Sequence, residues 1–180
     1  DYHGTLDNYF QVKWRLFSST SSQETPPLYV INYDDIYGQK IGRGLSSDFL
    51  SYGIDSQTDV SARNIRACEN GTSLKICTPA GTFQAKLKLR GTFNVYNSLA
   101  ATAIATGLGI PTESIKAGLE QVQNVPGRFE TISEGANFTV IVDYAHTPDG
   151  LEKVLLTARE LSTGRIITVF GCGGDRDKAK

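Results

Sequence analysis

The chain has 180 residues, with 18 Lys and Arg against 19 Asp and Glu and a formal net charge of −1 at pH 7. That balance gives no bulk attraction to nucleic acid or to an anionic membrane, and no apolar stretch approaches the ~20 residues that span a bilayer. The amino end shows no signal-peptide pattern, so neither nucleic-acid binding nor membrane insertion is expected, and the length suits one domain or pieces of two.

Residues 6–17 read as an amphipathic helix, with Leu6, Tyr9, Phe10, Trp14 and Phe17 on or near one face and Lys13 interrupting the stripe. Residues 18–27 are polar and end in proline, which reads as a loop. Leu28 to Ile31 is a short buried strand closed by the turn residues Asn32 to Asp35. From Asp48 to Leu89 the pattern is β-rich with breaks near Gly53 and Gly71. Its clearest hairpin pairs Leu74 to Cys77 with Phe83 to Leu89 across Pro79-Ala80-Gly81. The second arm alternates apolar and polar residues, as in a sheet with one wet face. Asn94 is expected to open a helix that runs to about Leu108 and stops at Gly109, and Thr112 to cap another that runs to about Val122.

After the turn Val125-Pro126-Gly127-Arg128-Phe129-Glu130, Val140-Ile141-Val142 leads into Asp143-Tyr144-Ala145-His146. Thr147 suits an N-cap, Pro148 the first helical position, and Leu151, Val154, Leu155, Ala158 and Leu161 recur at helical spacing up to Gly164. A second apolar run ends in Phe170-Gly171-Cys172-Gly173-Gly174-Asp175-Arg176-Asp177. Strand, helix and strand make one βαβ unit, which puts Asp143 and His146 beside the 171–175 loop at the ligand-binding edge of an α/β sheet. One such unit cannot cover both faces of a parallel sheet. The expected fold is therefore α/β with a domain boundary at residue 126: a partial domain over 1–126 and another over 127–180, in a fragment of a longer enzyme.

Three cysteines, Cys68, Cys77 and Cys172, show no C-x-x-C spacing, so neither a disulfide framework nor a zinc site is indicated and a reducing cytoplasm fits. With only His3 and His146 present, a metal must rest mainly on oxygen ligands, the preference of magnesium. Lys13 either snorkels its amine to water or keeps it neutral and reactive in a desolvated place. Asn94 and Asn97, expected at the N-cap and third position of their helix, sit where backbone N–H groups attract phosphate, or else Asn94 is an ordinary cap. Arg128, after the Pro-Gly turn, is placed to reach a phosphate or is simply solvated. Asp143 and His146 share a cleft edge or serve the helix start, and the glycine loop with Arg176 suits an anion or a carboxylate. No G-x-x-x-x-G-K-[ST] phosphate loop occurs.

Taken together, five segments in order resemble the Mur ligase family over essentially the whole chain. They are Asp1-Tyr2-His3-Gly4-Thr5 with Tyr9-Phe10-Gln11-Val12-Lys13; Gly91-Thr92-Phe93-Asn94-Val95-Tyr96-Asn97-Ser98-Leu99-Ala100-Ala101; Pro126-Gly127-Arg128-Phe129-Glu130; Asp143-Tyr144-Ala145-His146-Thr147-Pro148-Asp149; and Gly171-Cys172-Gly173-Gly174-Asp175-Arg176-Asp177. The resemblance implies the later part of a central ATPase domain, without its phosphate loop, followed by the first βαβ unit of a Rossmann-like C-terminal domain. It implies a cytoplasmic, ATP- and magnesium-dependent ligase of peptidoglycan synthesis that adds the third amino acid of the stem. Its substrates would be a UDP-N-acetylmuramoyl dipeptide and a diamino acid, meso-diaminopimelate or L-lysine, with the form of the last motif favouring the former. The fragment alone is expected to be inactive.

By the same resemblance, Lys13 corresponds to a carbamylated lysine that binds magnesium, and Asn94 and Asn97 to asparagines at the nucleotide, Asn97 at adenine. Arg128 and Asp143 correspond to contacts to ATP, Asp143 through the ribose. His146 belongs to the same motif, with Lys13, Arg128 and His146 expected at the chemistry, and Arg176 corresponds to the arginine that grips the incoming amino acid. Folylpolyglutamate and cyanophycin synthetases share this architecture, and a non-catalytic binding module is the alternative from another class.

Overall fold

The computed structural model describes residues 3–18, 27–68, 71–132 and 137–171. A five-stranded sheet in the order β1-β2-β3-β4-β5 forms its larger part, from β1 (Tyr29–Asn32), β2 (Phe49–Gly53), β3 (Val60–Cys68), β4 (Gly71–Thr78) and β5 (Gly81–Leu87). The first three strands are parallel and the last three antiparallel. The expected hairpin is present, with Thr78 opposite Gly81 across Pro79-Ala80.

Alternation along β4 and β5 places Leu74, Ile76, Ala85 and Leu87 on the covered face, where they meet Val60 and Ala62 of β3. The cover is α3 (Thr92–Gly107), whose Val95, Leu99 and Ala103 recur every four residues and are fully buried. Next, α4 (Thr112–Gln121) packs on β5. There the Glu120 carboxylate accepts the Lys86 N–H at 3.0 Å, closing part of the sheet edge. Its bond from the Lys116 ammonium, with the Lys86 N–H, holds that carboxyl below its ordinary pKa.

α1 (Leu6–Ser18) forms as expected, and α2 (Ile36–Gly44) is a helix the sequence reading did not anticipate. Asp35 caps α2 by accepting the N–H groups of Tyr37 at 2.8 Å and Gly38 at 2.9 Å. Gly38 lets α2 lie against β1, where a Cβ would overlap the Asn32 carbonyl. Two helix starts shift. Gly91, at φ 86°, is the N-cap of α3, so Asn94 is its third residue rather than its cap, and Pro111 rather than Thr112 precedes α4. The loop expected over 18–27 falls mostly at 19–26, outside the described residues.

The last part contains β6 (Glu130–Ile132), β7 (Val140–Val142) and α5 (Pro148–Leu161). Thr147 caps α5 as read from sequence, accepting the Gly150 N–H at 3.1 Å. The expected βαβ unit is corrected in its second strand. Residues 165–171 form no strand, and β7 pairs antiparallel with β6 instead. A strand needs a hydrogen-bonded neighbour. Among the described residues none lies beside this run, whose Val169 is 94% exposed.

Candidate functional site

The connection between the two parts is built from backbone geometry. Gly127 and Phe129 both adopt positive φ, 67° and 49°, and such a conformation costs a non-glycine residue about 1–2 kcal/mol. Phe129 is held there from both ends. Its ring is buried against Phe93, with centroids 6.0 Å apart, and its N–H donates to the Asp143 carboxylate at 2.8 Å. The turn is tied further by the Gly127 N–H to the Glu130 carboxylate and by the Tyr144 N–H to the Gly127 carbonyl, each 2.8 Å.

α5 docks at the start of α3 through buried Thr157. A Cβ at Gly91 would stand 2.8 Å from the Thr157 methyl, so this position requires glycine for its positive φ and for its neighbour. Docking brings the amino ends of α3 and α5 to the two sides of a cavity of about 470 Å³.

That cavity is bordered by Asn94, Asn97, Arg128, Asp143 and His146, five of the seven residues singled out from sequence. Asn94 is buried, its amide donating to the Arg90 carbonyl at 2.8 Å and its oxygen accepting from Asn97 at 3.2 Å. The side chain is thus a link between the preceding loop and Asn97, not a cap. Arg128 is exposed, its guanidinium carbon 5.9 Å from the Tyr144 ring centroid. Tyr144 also packs on His146 at 5.3 Å, and His146 Nδ1 lies 3.0 Å from the Tyr144 carbonyl oxygen.

Sequence reasoning missed Phe93, Tyr144 and Lys153 in this lining. All three stood near residues that were read: Phe93 precedes Asn94, Tyr144 follows Asp143, and Lys153 stands one helical turn after Asp149, to which it pairs at 2.9 Å. Together the lining offers two aromatic faces, two carboxamides, one carboxylate and two cations beside the amino ends of two helices. This set suits a flat heteroaromatic base, a diol and phosphate.

Lys13 is elsewhere. It borders a second cavity of about 380 Å³ with Tyr9, Phe10, Asn32, Asp35 and Tyr37. Its Nζ lies 5.4 Å from the Tyr9 ring centroid and the residue is exposed, which corrects the desolvated alternative read from its apolar stripe. The stripe itself is half open, with Leu6 68% exposed. Among the described residues no three His, Cys, Asp or Glu side chains converge to hold a metal ion, so they do not by themselves build a magnesium site. Arg176 and the loop from 172 onward lie outside the described residues, and no described helix is long and apolar enough to cross a membrane.

Comparison with known proteins gives the same outline. Residues 1–105 match the Mur ligase middle domain and residues 127–180 the Mur ligase glutamate ligase domain. The UDP-N-acetylmuramoyl-L-alanyl-D-glutamate–2,6-diaminopimelate ligase of Geobacillus kaustophilus is 44% identical over 183 aligned residues, covering 100% of this chain and 37% of the relative. The enzyme of the same name from Bacillus licheniformis is 46% identical over 183, covering 100% and 38%. A solved structure of a ligase of that name superposes with a TM-score of 0.72 at 31% identity, covering 98% of this chain and 36% of its own. The chain thus spans little more than a third of the length of these relatives. With the middle-domain match alone extending over more than half of its residues, the chain belongs to the Mur ligase family.

Proposed function

We propose that the protein carrying this chain is an ATP-dependent ligase that joins meso-diaminopimelate to UDP-N-acetylmuramoyl-L-alanyl-D-glutamate, in the cytoplasmic phase of peptidoglycan synthesis. The observation that carries this reading is the cavity in which Asn94, Asn97, Arg128 and Asp143 converge, with Phe93 and Tyr144 beside them. The shared name of relatives 44% and 46% identical supports the amino acid and the muramyl acceptor over a folyl or cyanophycin substrate.

In this reading Asn97 meets the adenine edge and Asn94 holds Asn97. Asp143 offers the ribose the carboxylate oxygen not bonded to Phe129, and Arg128 faces the phosphates. A carboxylate is a poor electrophile, so the D-glutamyl carboxylate takes the γ-phosphoryl group of ATP, forming an acyl phosphate and ADP. The amine of the diamino acid then attacks the acyl carbon, expels phosphate and loses a proton. Cations aimed at the transferring phosphoryl group stabilise its charge, and closure of the two parts keeps water from the acyl phosphate. His146, exposed at the cavity rim, is assigned to the chemical end of the nucleotide, and Arg176 to a carboxylate of the amino acid. Magnesium, which the reading pairs with ATP, would be held in this chain by Lys13 as a carbamate and would neutralise charge on the transferring phosphoryl group. Residues 1–126 are assigned to the ATPase domain and 127–180 to the amino-acid domain.

The test is phosphate release by the longest natural reading frame that contains this chain, supplied with ATP, magnesium and the UDP-muramoyl dipeptide. Release that depends on meso-diaminopimelate and not on L-lysine is expected. Release with neither, from a folded protein, overturns the reading.

A further inference from the structure

Asp34 lies outside the nucleotide cavity, yet four hydrogen bonds converge on its carboxylate. Oδ2 accepts the N–H groups of Ile54 at 2.6 Å and Asp55 at 3.1 Å and the hydroxyl of Tyr96 at 2.8 Å; Oδ1 accepts the Ser56 N–H at 2.7 Å. Three separate parts of the chain meet at this one group: the bend after β1, the turn after β2 and the second turn of α3. Because β1 and β2 are parallel, the bend and the turn sit at the same edge of the sheet. Burial pushes the Asp34 carboxyl upward, but its hydrogen bonds outweigh that and hold it well below the ordinary carboxylate range. Burial and the bond to Asp34 push the Tyr96 hydroxyl up. The pair is therefore a carboxylate and a neutral donor at neutral pH, a charge-assisted bond.

Tyr96 stands on α3 between Asn94 and Asn97. A helix turns as a body, so a rotation of about 20° would carry a side-chain tip about 6 Å from the axis through about 2 Å. That displacement exceeds what a hydrogen bond tolerates. Asn97 is exposed, and its amide is bonded to Asn94 on the same helix. Packing of its own side chain does not aim it at the cavity; the rotation of α3 does. The buried stripe of Val95, Leu99 and Ala103 sets that rotation coarsely, since apolar contacts are not directional. The Tyr96 hydroxyl adds a directional restraint.

We propose that Asp34, through the Tyr96 hydroxyl, is a positioning residue that aims Asn97, held by Asn94, at the nucleotide base and thereby sets selectivity for adenine. This inference rests on the nucleotide reading of the cavity. ATP and inosine triphosphate differ at the base edge alone, so their comparison isolates it.

Phosphate release would be measured with both nucleotides in the full-length protein bearing Tyr96→Phe or Asp34→Asn. The KM for ATP is expected to rise about tenfold with kcat at saturation unchanged, while the KM for inosine triphosphate moves less than about twofold. Tyr96→Phe deletes the donor and Asp34→Asn removes the charge that strengthens the same bond, so combining them should add little to the loss of selectivity. If Asp34→Asn fails to fold, Tyr96→Phe, which deletes a single oxygen, decides alone. Variants that melt at a lower temperature but keep the wild-type ratio of kcat/KM for the two nucleotides reduce Asp34 to a structural support and overturn the inference. A wild-type protein that uses both nucleotides equally would overturn the adenine role of Asn94 and Asn97, and the inference with it. A wild type that prefers ATP beside variants with unchanged preference would leave that role standing and overturn the inference alone.

Discussion

Asp143 holds two tasks in this account, and two substitutions separate them. One carboxylate oxygen accepts the Phe129 N–H at 2.8 Å and so restrains a residue at φ 49°; the other is assigned to the ribose. Losing a hydrogen bond to a charged group costs about 1.5–3 kcal/mol. Asp143 is half-buried, and the released turn can relax part of its strain, so Asp143→Ala should cost about 1.5–2 kcal/mol. At the 2–4 °C per kcal/mol expected for a chain of this size, the melting temperature should fall by about 3–8 °C. Asp143→Asn keeps an acceptor oxygen for Phe129 and loses the charge, so about half that fall is expected. Both variants lose the ribose partner, so the melting temperature gained on adding ADP should shrink equally in the two. Thermal unfolding with and without ADP reads both effects. If the alanine and asparagine variants melt within about 1 °C of wild type without ADP, Asp143 does not hold the turn and the reasoning fails.

Gly38→Ala should destabilise by about 2–3 kcal/mol, because the added methyl would overlap the Asn32 carbonyl and α2 must retreat; an unchanged urea midpoint would contradict that close approach. Asp34 has its pKa lowered by folding, so its stabilisation is present above the unfolded carboxyl value and is lost as pH falls toward the lower folded value. The urea midpoint of wild type should therefore drop between pH 6 and pH 3 by more than that of Asp34→Asn, and parallel pH profiles would refute the assignment. Lys13→Ala in the full-length protein should abolish ligation, with partial recovery on adding a short-chain carboxylate. Full activity in the variant removes the carbamate, for which exposure of Lys13 gives no independent support.

Periodic segments were the legible part of the fold. The β4–β5 hairpin and α5 carry their own punctuation, in Pro79-Ala80-Gly81 and in Thr147-Pro148, and both formed where the sequence placed them. α2 was hidden because Gly38, Gly42 and Gly44 weaken its helical signal, and the reason for glycine at position 38, the Asn32 carbonyl on β1, shows only once the helix folds back on that strand. The start of α3 was misread for a related cause. Asn94 has the chemistry of a cap, but Gly91 at positive φ turns the chain three residues earlier. The strand expected in the apolar run that ends at Phe170 depends on a pairing neighbour that local pattern cannot supply.

In the site, the polar residues of the motifs were readable, while the aromatic residues between them and the lysine brought in by docking were not. Asn94, Asn97, Arg128, Asp143 and His146 do line one cavity. Lys153 joins Asn94 and Asn97 only once Thr157 seats α5 on Gly91, a contact between residues far apart in the chain. Asp34 gave no signal beyond turn chemistry, because its partners at Ile54, Ser56 and Tyr96 assemble only in the folded sheet and helix. Lys13 shows the converse: an apolar stripe in sequence did not become a buried face.

The most direct test of the nucleotide reading is photolabelling of the full-length protein with 8-azido-ATP, followed by peptide mapping. Because the reactive group sits on the base, label is expected in the peptides containing Phe93 to Asn97 and Asp143 to His146, with protection by ATP. Label confined to other peptides, protected in the same way, would contradict the assignment of this cavity to the adenine nucleotide.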